Sequence, residues 1–298
     1  MNKQGVISLG EAFVDLISQD QTNSKYDQFL GGATVNLVVG TRRMGVPSYY
    51  LCKLGSDDIS DFVNKELNKE NVNINYSVKS ITKKVCCVYV HLNEKGERYF
   101  HAYVNETPDE WITNAELDEE LFKTGKIFSY GSGTLFHETS RETTEQALIL
   151  AKKYNLLTAF DTNIRLKRWE SEEKCRETIF SFIQHADIVK IAEDELFFLT
   201  GTQTIDEGLR KVSEFNIPYL FITMGKEGAI VLHDGERIAV PGIDVNVVDT
   251  TGAGDAFLAA ILVSFHEKGL PKDNIQLKEY LKFANHTAAN TTTKMGAL

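Results

Sequence analysis

Residues Arg141 to Tyr154 read RETTEQALILAKKY, and after the single Asn155 the chain continues as Leu156-Leu157-Thr158-Ala159-Phe160. The first stretch carries Ala147, Leu150 and Ala151 on one face at helical spacing, and the second is an apolar run of strand length. Similar runs recur at Ser48 to Leu54, Lys126 to Tyr130, Ile188 to Ile191, Tyr219 to Thr223 and Ala229 to His233, with helical patterns between several of them. Short apolar strands alternating with helices predict an α/β domain, a mostly parallel sheet covered on both sides. In such sheets ligands bind beyond the carboxyl ends of the strands.

Two stretches break this rhythm. Glu11 to Leu30 is polar and lacks a helical period. In Val85 to Tyr103, Val88, Val90 and Leu92 alternate with Tyr89 and His91, Asn93-Glu94-Lys95-Gly96 supplies a turn, and Glu97 to Tyr103 returns. Together they predict either a small sheet standing over one edge of the main domain or an antiparallel extension of the main sheet.

The bulk numbers exclude several classes. Of 298 residues, 42% are hydrophobic and 25% charged, and the net charge is −10. Nucleic acid and anionic membranes repel such a surface at long range, so neither is an expected partner. A small phosphate ligand is still allowed, because backbone amides can hold an anion inside an acidic protein. The longest apolar stretch, Ala256 to Val263, is far short of the roughly 20 residues that span a bilayer. Val6 to Leu9 follows Met1 closely, with no signal-peptide pattern. Cys52, Cys86, Cys87 and Cys175 lack metal-type spacing and read as free thiols in a reducing compartment, so a cytoplasmic protein is expected.

The strongest local signal is Asn246 to Phe257, NVVDTTGAGDAF. Its pattern predicts a strand, a glycine-flanked turn and an apolar helix with Phe257, Ile261 and Phe265 on one face. Gly252 and Gly254 let backbone approach a ligand, and the amides of Ala253, Gly254 and Asp255 are the donors that a helix start leaves free for an anion. Asp255 is placed to take a proton from an alcohol attacking a phosphoryl group, so donors and base for phosphoryl transfer lie together. By itself the run also fits an ordinary N-capped helix. A nicotinamide loop is disfavoured by the missing third glycine and the position near the C-terminus. A P-loop is excluded, since no Gly-x-x-x-x-Gly-Lys-Ser/Thr occurs.

Asp249-Thr250-Thr251-Gly252-Ala253-Gly254-Asp255 resembles the C-terminal signature of the ribokinase-like (PfkB) carbohydrate kinases. Gly31-Gly32-Ala33-Thr34-Val35-Asn36, followed by Arg43-Met44-Gly45, resembles their N-terminal signature. Asp161-Thr162-Asn163-Ile164-Arg165, Lys190 to Glu195 and Thr223 to Gly228 lie in the family's order, so the likeness spans the chain. Within the family, Gly10 to Asp15, Gly131-Ser132 and Trp169 are most similar to fructokinases. The resemblance implies one three-layer α/β/α sandwich over residues 1–298, with a mostly parallel sheet and a β-lid from about 11–30 and 85–104.

It further implies transfer of the γ-phosphate of ATP to a sugar hydroxyl, fructose first and 2-keto-3-deoxygluconate as the alternative, with ribose or a nucleoside behind. Asp255 would be the base, the amides around Gly252, Ala253 and Gly254 the phosphate cradle, and Arg165 a phosphate-neutralising charge. Asp15, Gly31, Gly32, Asn36, Tyr103 and Asn163 would meet the sugar. Lys190, Glu195, Thr223, Gly225 and Gly228 would border the nucleotide, and Asn285 the adenine. Glu195 would order Mg²⁺ through water, and Asp249 and Thr251 would ligate a monovalent cation such as K⁺. The resemblance extends to homodimers formed through the lid.

Residue by residue, blander readings stay open: Asn36 as a helix N-cap, Asp15 as a surface acid, Lys190 and Arg165 as surface ion pairs. Departures from the family pattern are Thr162 for proline, Ala192 for a polar residue, and Val104 where fructokinases often carry arginine after the lid tyrosine. Ala192 and Val104 keep a catalytically silent sugar sensor as a rival.

Overall fold

The computed structural model describes residues 3–107 and 110–298. In chain order it begins with β1 (Val6–Leu9), β2 (Phe13–Ser18), β3 (Tyr26–Gly31), α1 (Ala33–Arg43) and β4 (Ser48–Leu51). There follow β5 (Lys53–Leu54), α2 (Asp58–Lys69), β6 (Val78–Lys79), β7 (Cys86–Leu92) and β8 (Arg98–Val104). The middle of the chain holds α3 (Glu119–Thr124), β9 (Ile127–Gly131), α4 (Glu138–Lys153), β10 (Leu157–Asp161), α5 (Glu172–Ile183) and β11 (Ile188–Ala192). The last third contains α6 (Glu193–Thr200), α7 (Ile205–Ser213), β12 (Tyr219–Thr223), β13 (Ala229–His233), β14 (Glu236–Val240), α8 (Ala253–Lys268) and α9 (Asn274–Thr291).

Eight strands form one sheet in the order β14-β13-β12-β11-β10-β9-β1-β4. From β4 through β12 every neighbouring pair is parallel, and β13 and β14 close one edge as an antiparallel hairpin. Strand alternation sends Ile7, Phe128, Tyr130, Phe160 and Val189 to one face, where they pack with residues of α4 and α5. Val6, Ile127, Ala159, Ile188 and Phe221 point the other way, against α8 and α9. Two apolar faces on one sheet require two helix layers, which is the predicted sandwich. Helix α8 is buried on all sides from Phe257 to His266, because the sheet, α1 and α9 all pack around it.

The two irregular stretches meet in a second sheet of order β3-β2-β7-β8. It shares no strand with the large one, so the extension reading is overturned. The predicted hairpin is seen, with β7 and β8 paired across Asn93 to Gly96, and β2 and β3 pair as a second one. One face rests on a satellite core with Val14, Leu16, Val38, Val63 and Leu67, which ties it to α1 and α2.

Two local expectations are corrected. Ser48 to Leu54 breaks at Cys52; its first part joins the large sheet, while Lys53–Leu54 pairs with Val78–Lys79. No strand precedes Asp249: residues 241–248 are irregular, with Val247 and Val248 more than half exposed. The Val248 amide donates to the Thr292 carbonyl at 2.8 Å, so this segment runs along the end of α9 instead of entering the sheet. All four cysteines are buried and free, and burial pushes the Cys52, Cys86 and Cys175 thiols up to about 12 and Cys87 to about 11. Among the described residues no helix is long and apolar enough to cross a membrane.

Candidate active site

A cavity of about 1060 Å³ opens beyond β1, at Gly10, and at the ends of β9 and β10, Gly131 and Asp161, with the small sheet as its other wall. Asp15, Gly31, Gly32, Asn36, Tyr103, Asn163, Arg165, Asp249, Thr251, Gly252 and Asp255 all line it. Residues from six separate stretches of sequence therefore converge on one space.

Asp255 sits in the first turn of α8, half-buried. Its carboxyl is pushed up to about 7, first by burial and then by the negative charge of Asp161. Gly252 caps the helix in the left-handed region at φ 76°, a conformation that only glycine adopts without strain. The Ala253 amide closes the turn onto the Thr250 carbonyl at 3.3 Å, which removes it from the predicted anion donors. The Gly254 and Asp255 amides have no backbone acceptor among the described residues. Gly252 and Asp255 at the start of this 16-residue helix line the cavity, and a helix start with free amides favours a bound anion by both its hydrogen bonds and its dipole.

Asn36 is not a cap. Helix α1 starts three residues earlier, at Ala33, and Asn36 lies inside it. Its Nδ2 donates to Asp255 Oδ2 at 2.8 Å, while its buried Oδ1 has no hydrogen-bond partner. Asp15 lies across the cavity on β2, its carboxyl pushed up to about 6 by burial. A Cβ on Gly31, its neighbour on β3, would stand 2.8 Å from Asp15 Oδ2, so that glycine leaves room for the carboxylate. The surface-acid reading of Asp15 fails on this enclosure.

Several other predicted site residues are engaged inside the protein. Lys190 is buried, with Nζ 3.0 Å from Asp161 Oδ1. Burial alone would lower it, but the adjacent carboxylate holds the ammonium above the ordinary lysine range. It lies beneath the helix start, where a Cβ on Gly254 would be 3.1 Å from Nζ. Lys190 is thus neither a surface pair nor part of the cavity wall. Glu195 accepts from Thr162 Oγ1 at 2.7 Å, the Ile164 amide at 2.6 Å and the Ala192 amide at 2.9 Å, so its carboxylate clamps the ends of β10 and β11. Asn285 Nδ2 donates to the carbonyls of Val240 and Pro241 at 3.1 and 3.2 Å, which fastens that segment to α9.

Thr223 ends β12, and Gly225 and Gly228 lie in the β12–β13 turn; all three are outside the cavity lining. Gly225 is exposed, whereas Gly228 is buried against the Val240 carbonyl. Asp249 accepts from Thr251 Oγ1 at 2.7 Å, and its other oxygen accepts from the Gly296 amide at 2.9 Å. The Thr251 and Gly296 hydrogen bonds hold its carboxyl below the ordinary range. Among the described residues no cluster of three or more His, Cys, Asp or Glu side chains could hold a metal ion.

Sequence reasoning passed over Asp161, the charge that acts most strongly on Asp255, and Arg168, Glu11 and Phe136, which line the cavity. Asp161 stands in a quoted motif, and Arg168 is next to the quoted Trp169, but local pattern alone does not say that either points inward.

The profile of the pfkB family carbohydrate kinases matches residues 3–298. The chain belongs to that family. It is 34% identical to fructokinase-1 of Oryza sativa subsp. japonica over 98% of this chain and 93% of that one. The probable fructokinase-2 of Arabidopsis thaliana is 34% identical, over 100% of this chain and 92% of its own length. A crystal structure of fructokinase from Vibrio cholerae O395 with fructose, ADP and calcium superposes with a TM-score of 0.88 at 30% identity, covering 99% of this chain and 94% of that one. Aminoimidazole riboside kinase from Salmonella enterica, with its riboside and an ATP analogue, gives 0.87 at 25% identity over 98% of this chain and 95% of that one. The fold is thus the ribokinase-like sandwich, and the chain is an ATP-dependent sugar kinase.

Proposed function

We propose that this kinase transfers the γ-phosphate of MgATP to fructose, giving fructose 6-phosphate. The observation that carries the reading is Asp255, a half-buried carboxyl with a raised proton affinity, aimed by Asn36 and flanked by the free amides of a helix start. A base whose proton affinity is close to the working pH is efficient both as acceptor and, after transfer, as donor. Asp255 takes the proton of the attacking hydroxyl, the Gly254 and Asp255 amides hold the phosphoryl oxygens, and Arg165 at the cavity wall offsets their charge. Removing one such amide donor costs about 2.7–4 kcal/mol in other oxyanion sites. The Asn36 Oδ1 acceptor and Asp15 suit sugar hydroxyls. Mg²⁺ bound with ATP would neutralise charge on the transferring phosphate, and Glu195, already engaged by Thr162 and Ile164, would meet it only through water.

A neutral sugar is favoured over the acid 2-keto-3-deoxygluconate. Lys83 and Arg168 face Glu11 and Glu106 in one ion-pair chain, so these two cations are already neutralised and do not recruit a carboxylate. With its carboxyl at about 6, Asp15 is mostly ionised near pH 7, and that charge disfavours an anion beside it as well.

We read residues 1–298 as one kinase domain in which the small sheet is a lid that excludes water. Phe29, Tyr99 and Phe100 on that sheet are exposed, which supports a homodimer through the lid. Asp249, ionised and flanked by Thr251, is the proposed K⁺ ligand. Four buried free thiols suit the cytoplasm. A coupled ADP-release assay over a sugar panel with MgATP, with and without K⁺, tests the reading. Fructose as the best substrate supports it; turnover only on 2-keto-3-deoxygluconate or a nucleoside overturns the choice of sugar, and no ADP release with any sugar supports the silent sensor.

A further inference from the structure

Arg168 belongs to the short 3₁₀ turn Leu166–Arg168 after β10, in the body of the molecule. Its guanidinium nevertheless reaches the small sheet. Nη2 stands 3.1 Å from Glu106 Oε1 and 3.6 Å from Glu11 Oε2. Its Cζ is 5.3 Å from the Phe13 ring and 5.5 Å from the Tyr103 ring, both on the small sheet, and 4.4 Å from Phe136 of the body. Only 11% of the side chain is exposed. Three ring faces and two carboxylates therefore hold one cation across the seam between the two sheets.

The same groups keep unspent hydrogen-bonding capacity. Glu11 Oε1 is taken by Lys83 Nζ at 3.0 Å, but Glu11 Oε2 is buried without a hydrogen-bond partner. The 3.6 Å to Arg168 is too long for a direct bond. A guanidinium has five donors, and Glu106 uses one direction of them. Arg168 and Glu11 both line the cavity, and the unpartnered Glu11 Oε2, itself shielded from solvent, lies beside the free guanidinium donors at that wall. Adjacent donor and acceptor match the paired hydroxyls of a neutral sugar, each of which donates once and accepts once. The position also bears on Val104: the cation that the strand lacks after Tyr103 is supplied over the Tyr103 ring from the body.

We propose that Arg168 and Glu11 form a hydroxyl-reading pair at the sugar end of the cavity, and that Arg168, through Glu106 and Tyr103, ties the small sheet down over the bound sugar. The inference rests on the sugar-kinase reading but not on which sugar is used. Arg168 is thus a specificity-determining residue whose contacts form fully only when the sheet is closed.

The test uses the full chain and whichever sugar the wild type turns over best. Arg168→Met is expected to raise the KM for sugar at least tenfold, with a larger effect on KM than on kcat, and to leave the KM for ATP within threefold. It should also increase ATP hydrolysis in the absence of sugar, because an untied sheet admits water. Arg168→Lys, which keeps the charge, should recover part of the sugar KM. The exchange Arg168→Glu with Glu106→Arg should recover more of it than either single change. An unchanged sugar KM in a folded Arg168→Met protein overturns the proposal, as does an equal rise in both KM values. If the methionine variant does not fold, an unaltered sugar KM in Glu11→Gln overturns it instead. A wild type that phosphorylates no sugar refutes the kinase reading separately, before any variant is compared.

Discussion

The side-chain amide of Asn36 and the carboxylate of Asp255 are hydrogen-bonded at 2.8 Å, although 219 residues separate them in sequence. The contact joins the second turn of α1 to the first turn of α8, two helices packed on the same face of the sheet. A carboxylate at a helix start is free to swing, and this bond gives it one direction. The bond also favours the ionised carboxylate, opposing the burial and the Asp161 charge that raise its proton affinity.

Asn36→Ala should therefore lower turnover by about 10- to 100-fold, the worth of a hydrogen bond to a charged group. The midpoint of the kcat pH profile should also move above the wild-type value. A pH–rate series on wild type and variant measures both; a loss of turnover with no shift in midpoint would assign Asn36 to sugar binding alone.

Asp255→Asn should cost about 10²- to 10⁴-fold in kcat, the usual worth of a positioned base, while ATP still protects the protein in thermal melts. In the wild type, activity should rise with pH through about 7 as Asp255 loses its proton. A profile flat from pH 5 to 8 would contradict this role.

Proton linkage makes the same residue a cost to stability. The folded chain keeps a proton on Asp255 up to about 7, whereas the unfolded chain releases it near 3.8. Its contribution is fully present below the lower value and is lost as pH rises through the higher one. Asp255→Asn should then melt above the wild type at pH 8 and close to it at pH 4, in the absence of ligands.

Lys190→Met leaves Asp161 as an uncompensated buried charge and should destabilise the protein by about 3–5 kcal/mol. Adding Asp161→Asn should restore most of that loss. Urea melts of the single and double variants give the comparison, and a double variant no more stable than the single one would rule out the pairing as the cause.

Gly252→Ala forces a side chain into the left-handed region, at a cost of about 1–2 kcal/mol, and puts a Cβ 2.4 Å from Ala297 Cβ. Turnover should fall further than stability, because the strain is relieved by moving the Gly254 and Asp255 amides. Parallel melts and kcat measurements separate the two effects.

Strand runs, the hairpin at Asn93 to Gly96 and the glycine-rich helix start are legible in the sequence, because each is written in adjacent residues. Period-2 or fully apolar runs specify strands, and a turn needs only its own few side chains. The same locality explains two differences. Val247 and Val248 have strand composition, but the sheet edge is already closed by β14 and the segment follows α9. Glu195, Lys190 and Asn285 carry polar groups typical of a ligand site, yet each is engaged by neighbours that belong to other strands and loops.

Local sequence thus pointed to a parallel α/β sandwich and to a glycine-flanked helix start at Asp249 to Asp255. Sheet order and helix packing decided the rest: that Asn36 aims Asp255, that Glu195 turns inward, and that Arg168 crosses to the small sheet. The physical reason is range. Backbone propensity and turn chemistry act over a few residues, whereas the state of a charged side chain depends on what burial and partners the whole fold brings within about 4 Å of it.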